Sequence, residues 1–223
     1  MQSTIRRRVR DVEQRIEVLD RDPIPKPPRQ LSFDAPLTDD AGRAGTVRLR
    51  DARVNGRLSL DRLDVAAGDR LLVTGANGSG KSTLLSIVAG LVRLDSGSSE
   101  VSARRIGLLP QDVHFSRPEL TPQQVYVELT GAPVPLGDLG LLHPRELSRP
   151  VGVLSVGQQR RLALAVLVAQ RPDLLLLDEP TNHISLTLAS DLEEALSRAR
   201  GTVLLASHDR WLRARWTGQQ LSL

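Results

Sequence analysis

The chain has 223 residues, 40% apolar and 25% charged, a globular composition that excludes wholesale disorder and a collagen-like repeat. It has no cysteine, which rules out disulfide frameworks, thiolate zinc sites and cysteine nucleophiles, and with aromatics at 2% the core must be aliphatic. Net charge is +4, of which +3 falls within residues 1–30, where eight basic side chains stand against five acidic ones. Met1–Arg15 has no apolar stretch behind its arginines and so does not read as a secretory signal. The longest apolar run, Leu162–Ala169, is far shorter than the roughly 20 residues that cross a bilayer. The expectation is a cytoplasmic protein with no membrane span.

Ile5, Val9, Val12, Ile16 and Leu19 fall on one helical stripe with coiled-coil spacing, a seam too short to stand without a partner helix. The Pro-rich stretch 22–28 ends that helix as a stiff linker, placing a domain boundary near residue 30, with 1–30 as helix plus linker and 31–223 as the main domain. Strands are predicted over 47–50, 58–65, 70–74, 105–109, 174–177 and 202–206, and helices over 81–91, 155–170 and 186–200, the last ended by Gly201. A further helix opens at Thr121-Pro122-Gln123-Gln124 with a capping box, and residues 131–153 give no clear assignment. Aliphatic strands alternating with helices predict an α/β fold.

Gly75-Ala76-Asn77-Gly78-Ser79-Gly80-Lys81-Ser82-Thr83 matches G-x-x-x-x-G-K-[ST] and stands between a predicted strand and a predicted helix, as a phosphate-binding loop must. The glycines let backbone N–H groups turn toward a phosphate, Lys81 neutralises β/γ oxygens and Ser82 offers an oxygen to Mg²⁺. Lys81 is one of only two lysines, in a chain that otherwise uses arginine. The apolar strand 174–177 delivers Asp178 and Glu179 at its carboxyl end, Asp178 suited to Mg²⁺ and Glu179 to polarising an attacking water. Leu154-Ser155-Val156-Gly157-Gln158 opens a helix, Ser155 and Gln158 forming a second capping box.

Taken in order, the phosphate loop, Gln111 after its strand, the LSVGQ segment 154–158, the acidic strand and His208 after strand 202–206 resemble the nucleotide-binding cassette of ATP-binding cassette (ABC) proteins over residues 46–223. The resemblance implies a P-loop NTPase fold with an antiparallel β subdomain and a short helical subdomain, and ATP with Mg²⁺ as the substrate. By it, Gln111 touches Mg²⁺ and the attacking water, His208 meets the γ-phosphate, and Leu154, Ser155, Val156, Gly157 and Gln158 form a signature that serves the ATP of an opposing cassette. One cassette is then half of a catalytic pair.

Pro180-Thr181-Asn182-His183-Ile184-Ser185 and Ser207-His208-Asp209-Arg210-Trp211-Leu212 look like the ABC-F subfamily of twin-cassette proteins, which includes translation factors and antibiotic-resistance proteins of the ribosome. Residues 3–22 then correspond to the end of the helical hairpin between cassettes. The expected partners are a second cassette and the ribosome with its rRNA; the alternative is the ATPase subunit of a membrane transporter. Three positions depart from the family pattern. Val54 stands where an aromatic often stacks on adenine, so that either base selectivity is loose or an arginine such as Arg53 or Arg57 covers the base; Val156 replaces a signature glycine; Ser185 replaces an aspartate.

Overall fold

A computed structural model describes residues 33–38, 44–182 and 184–223, which belong to one compact unit, Leu31–Leu223. The predicted helix 3–22, the Pro-rich linker and His183 lie outside the described residues.

Two sheets carry the architecture. β1 (Thr46–Val54) pairs antiparallel with β2 (Leu58–Val65) on one side and β4 (Ser96–Ser102) on the other. The second sheet is parallel and has the order β5 (Ile106–Leu109), β6 (Leu174–Asp178), β7 (Thr202–Ala206), β3 (Arg70–Thr74), β8 (Gln219–Ser222). Helices connect and cover the strands: α1 (Lys81–Val88), α2 (Pro122–Thr130), α3 (Val156–Gln170), α4 (Leu186–Arg198) and the short α5 (Arg210–Arg215). Between α2 and α3 the Gly/Pro-rich stretch folds as three short 3₁₀ turns, Leu136–Leu139, Pro144–Glu146 and Val151–Val153.

The run of leucines in β6 follows from burial on both faces, the usual condition of a central parallel strand. Leu175 and Leu177 point with Leu72, Val203 and Leu205 into the core shared with α3 and α4. Leu174 and Leu176 point with Leu71, Val73 and Leu204 into a second core under α1 and the antiparallel sheet. Truncating a fully buried leucine of this kind to alanine costs about 2–5 kcal/mol.

Several boundaries differ from the sequence expectation. The first strand runs on to Val54 because β2 pairs with it along almost its full length. α1 stops at Val88, where the chain turns through Ala89 and Gly90. α4 ends at Arg198, not at residue 200: Ala199 is already extended, and Gly201 is required by close approach, since a Cβ there would lie 2.9 Å from Asp173 O and from Thr38 Cβ. β4, β8 and α5 were not anticipated. Both capping boxes form: Thr121 accepts from Gln124 N at 3.3 Å and Ser155 from Gln158 N at 3.3 Å.

Candidate functional site

Because β3, β7 and β6 are neighbours in the parallel sheet, the segments leaving their carboxyl ends meet at one edge, where open α/β sheets bind ligands. They enclose a cleft of about 530 Å³ lined by Arg57, Lys81, Gln111, Asp178, Glu179 and His208 together with Asn77, Gly78, Gly80, Ser82 and Thr83.

The loop after β3 turns on glycine. Gly80, the residue before α1, sits at φ 102°, and a Cβ on it would lie 2.5 Å from Arg57 O, so the β1–β2 turn abuts the phosphate loop and admits no side chain there. Gly80 offers no side-chain cap, which leaves the first N–H groups of α1 directed at the cleft mouth. Lys81 is buried and its Nζ donates to Gly75 O at 2.9 Å and Ala76 O at 3.0 Å, so the loop's own carbonyls hold the ammonium. Two buried side-chain oxygens, Ser79 Oγ in this loop and Asp178 Oδ1 at the end of β6, have no hydrogen-bond partner.

Asp178 ends β6 and is buried. Burial raises its carboxyl above the ordinary value, the Ser82 hydroxyl opposes that shift, and the Glu179 charge adds to it. An unpartnered buried carboxylate oxygen beside a serine hydroxyl is an oxygen donor set suited to Mg²⁺, which binds through one or two protein groups plus substrate phosphates. The residues present therefore fit the ion, with Ser82 and Asp178 as donors and Gln111 lining the same cleft.

Glu179 is held by more bonds than the sequence suggests. Its backbone sits at φ 48°, in the left-handed region that costs a non-glycine residue about 1–3 kcal/mol. Its N–H donates to Ala206 O at 2.9 Å, and its carbonyl accepts from Asn182 N at 3.1 Å and Arg160 Nη2 at 2.7 Å. Glu179 is buried, and its carboxylate accepts from the backbone N–H of His208 at 3.1 Å and lies 2.7 Å from His208 Nδ1. The structure thus brings Lys81, Ser82, Gln111, Asp178, Glu179 and His208 to one cleft, the first two and the acidic pair expected from their local motifs and Gln111 and His208 from the family resemblance.

The signature segment stands apart from this cleft. Ser155 caps α3 and Val156 is 63% exposed beside it, while Gln158 Nε2 donates to the buried Glu146 at 2.7 Å. Of the two candidates for the base, Arg53 is committed to Asp61 at 2.6 Å, whereas Arg57 lines the cleft and Val54 is buried beneath the turn. Ser185 caps α4 by accepting from Leu188 N at 3.3 Å.

Sequence reading missed Arg160. It is 2% exposed and donates to Gln111 O, Asp178 O and Glu179 O. Arg160 stands near the start of α3 between Gln159 and Arg161, in a polar stretch that gives no local sign of its burial.

The ABC transporter family model matches residues 58–182. The tylosin resistance ATP-binding protein TlrC of Streptomyces fradiae is 41% identical over 97% of this chain and 40% of its own length. The ATP-binding protein Uup of Escherichia coli is 35% identical over 77% of this chain and 30% of its own, and the ribosome protection protein VmlR of Bacillus subtilis 32% identical over 69% and 29%. The chain therefore spans less than half the length of these relatives. In fold it resembles a dimeric ATP-binding cassette in a post-hydrolysis state with ADP and Pi, at TM-score 0.62 and 23% identity over 79% of this chain and 94% of that one. The ATP-binding subunit of an ABC transporter superposes at TM-score 0.67 with 19% identity, over 80% and 85%. Family match, relatives and cleft agree: this chain is an ATPase cassette of the ATP-binding cassette family and belongs with its ABC-F members.

Proposed function

We propose that the cassette holds MgATP over the 75–83 loop, hydrolyses it with Glu179 as general base once an opposing cassette closes the site, and serves a twin-cassette protein that acts on the ribosome. The observation that carries the catalytic part is Glu179 itself: a buried carboxylate just beyond Asp178 at the end of β6, lining the same cleft as Lys81 and gripped through its backbone and its carboxyl group.

Gly75, Ala76, Asn77, Gly78, Ser79, Gly80, Lys81, Ser82 and Thr83 bind the phosphates through backbone N–H groups and the Lys81 ammonium. Ser82, Asp178 and Gln111 hold Mg²⁺, which when bound neutralises charge on the phosphate oxygens. Glu179 takes a proton from water, the water oxygen bonds to the γ-phosphorus, and the bond to the β–γ bridging oxygen breaks so that ADP leaves with the electron pair. His208, in contact with the Glu179 carboxylate, orients that base and faces the transferred phosphate. Leu154, Ser155, Val156, Gly157 and Gln158 present the start of α3 to the ATP of the opposing cassette, as the N-terminus of a helix favours an anion. Glu179→Gln tests the assignment, since hydrolysis at the unchanged rate would remove Glu179 as the base.

The ribosome reading rests on the relatives named for tylosin resistance and ribosome protection, and on the basic balance of residues 1–30, read as the end of an inter-cassette hairpin that leads into the cassette 31–223. No helix among the described residues is long and apolar enough to cross a membrane. Sucrose-gradient fractionation of source-cell lysate with an antibody against this chain tests it. A band at roughly two and a half times this mass, as the share of the relatives' length implies, sedimenting with ribosomes is expected; a band of this chain's own mass in the membrane fractions would overturn it.

A further inference from the structure

Arg160 lies on α3 two residues beyond Gln158, the last residue of the signature segment, and is almost wholly buried. Among the described residues its guanidinium donates to backbone carbonyls: Nη1 to Gln111 O, and Nη2 to Asp178 O and to Glu179 O at 2.7 Å. Nε is buried with no partner. Desolvation disfavours the charged guanidinium, and the charges of Asp178, Asp112 and Glu179 only oppose that penalty from a distance. A buried cation spent on carbonyls is poorly explained as charge neutralisation. It is well explained as geometry, because the guanidinium is a rigid planar fork that fixes the direction of every acceptor it bonds.

Two different segments depend on that fork. One is the loop after β5, through Gln111; the other is the end of β6, where Glu179 keeps a left-handed backbone that its own side chain disfavours. Rotation of the Glu179 peptide out of that region would carry the carbonyl away from Arg160 and the carboxylate away from His208. The fork is rooted in the helix whose first turn bears Ser155, Val156 and Gly157.

We infer that Arg160 is a positioning residue for hydrolysis: through the Gln111, Asp178 and Glu179 carbonyls it fixes the Glu179 carboxylate, and it ties that placement to the helix that meets the second cassette's ATP. The inference rests on the assignment of Glu179 as general base. Arg160 touches neither substrate nor reacting atoms, and its effect is exerted through Glu179 and Gln111.

The test uses Arg160→Lys, which keeps the charge and loses the fork, with Arg160→Gln beside it, in the cassette paired with its second cassette. Arg160→Lys is expected to lower kcat roughly 10- to 100-fold, the scale of an ångström-sized misplacement of a reacting group, with ATP affinity changed less than about threefold. The double variant with Glu179→Gln should hydrolyse no more slowly than Glu179→Gln alone, as expected for residues that act as a unit. Amide hydrogen exchange over residues 178–182 should speed up in Arg160→Lys while the β7 amides stay protected, which a general loss of fold would not produce. Wild-type kcat in Arg160→Lys, or an undiminished loss on top of Glu179→Gln, overturns the inference. If Glu179→Gln alone leaves hydrolysis intact, the base assignment fails instead, and the exchange over 178–182 still decides whether Arg160 holds that segment: unchanged protection there in Arg160→Lys rejects it.

Discussion

The two ends of the cleft are built in opposite ways. The phosphate end is a single stretch, residues 75–83, in which Lys81 bonds carbonyls only five and six residues back. The hydrolytic end is collected from four segments, with Gln111, Arg160, Asp178–Glu179 and His208 joined by hydrogen bonds across up to 49 residues of sequence. A local turn keeps its shape wherever strand, loop and helix survive. A constellation drawn from four segments keeps its shape only while the packing around α3 and the strand ends does. Nucleotide binding should therefore be robust to distant changes, and turnover should not.

Substitutions can break that contrast, beginning with the largest effect. Glu179→Gln keeps the shape and removes the base, so kcat should drop about 10²- to 10⁴-fold with ATP still bound, measured as phosphate release beside equilibrium nucleotide binding. Lys81→Ala acts at the other end and should weaken ATP binding itself, on the order of 10- to 100-fold for a charge-assisted contact, read by titration of a fluorescent nucleotide. Asp178→Asn should stabilise the nucleotide-free chain. Burial raises the Asp178 carboxyl, so ionising it costs the folded state; that cost is present in full above the raised value and absent below the ordinary 3.8. Removing the charge should return about 1–3 kcal/mol at neutral pH, visible as a higher melting temperature whose margin shrinks as pH falls toward 3.8, with hydrolysis lost. The smallest effect belongs to Thr121→Ala, which removes the α2 cap for about 1 kcal/mol, lowering the melting temperature by roughly 2–4 °C without touching nucleotide affinity.

The same division decided what was legible in the sequence. The phosphate loop, the strand ending in Asp178 and both capping boxes are local patterns, so spacing alone located them. Gln111 and His208 were located through the family pattern, and the structure brings them to the cleft. β4 was invisible because Ser96–Ser102 has no apolar alternation; it exists as the partner that β1 supplies. β8 is likewise an edge strand of exposed and half-buried residues held by β3, and α5 is a six-residue helix rich in arginine. The left-handed backbone of Glu179 and the carbonyl grip of Arg160 are set by tertiary neighbours and have no sequence period.

The most direct test pairs two quantities on two variants: ATP affinity and phosphate release for Lys81→Ala and Glu179→Gln, each in the cassette joined to its partner cassette. The predicted result is a split, with Lys81→Ala losing affinity and Glu179→Gln keeping ATP while turnover falls about 10²- to 10⁴-fold. Equal loss of both quantities in both variants, or turnover by Glu179→Gln at the unaltered rate, would contradict a cleft whose binding end is local and whose hydrolytic end is assembled around Glu179.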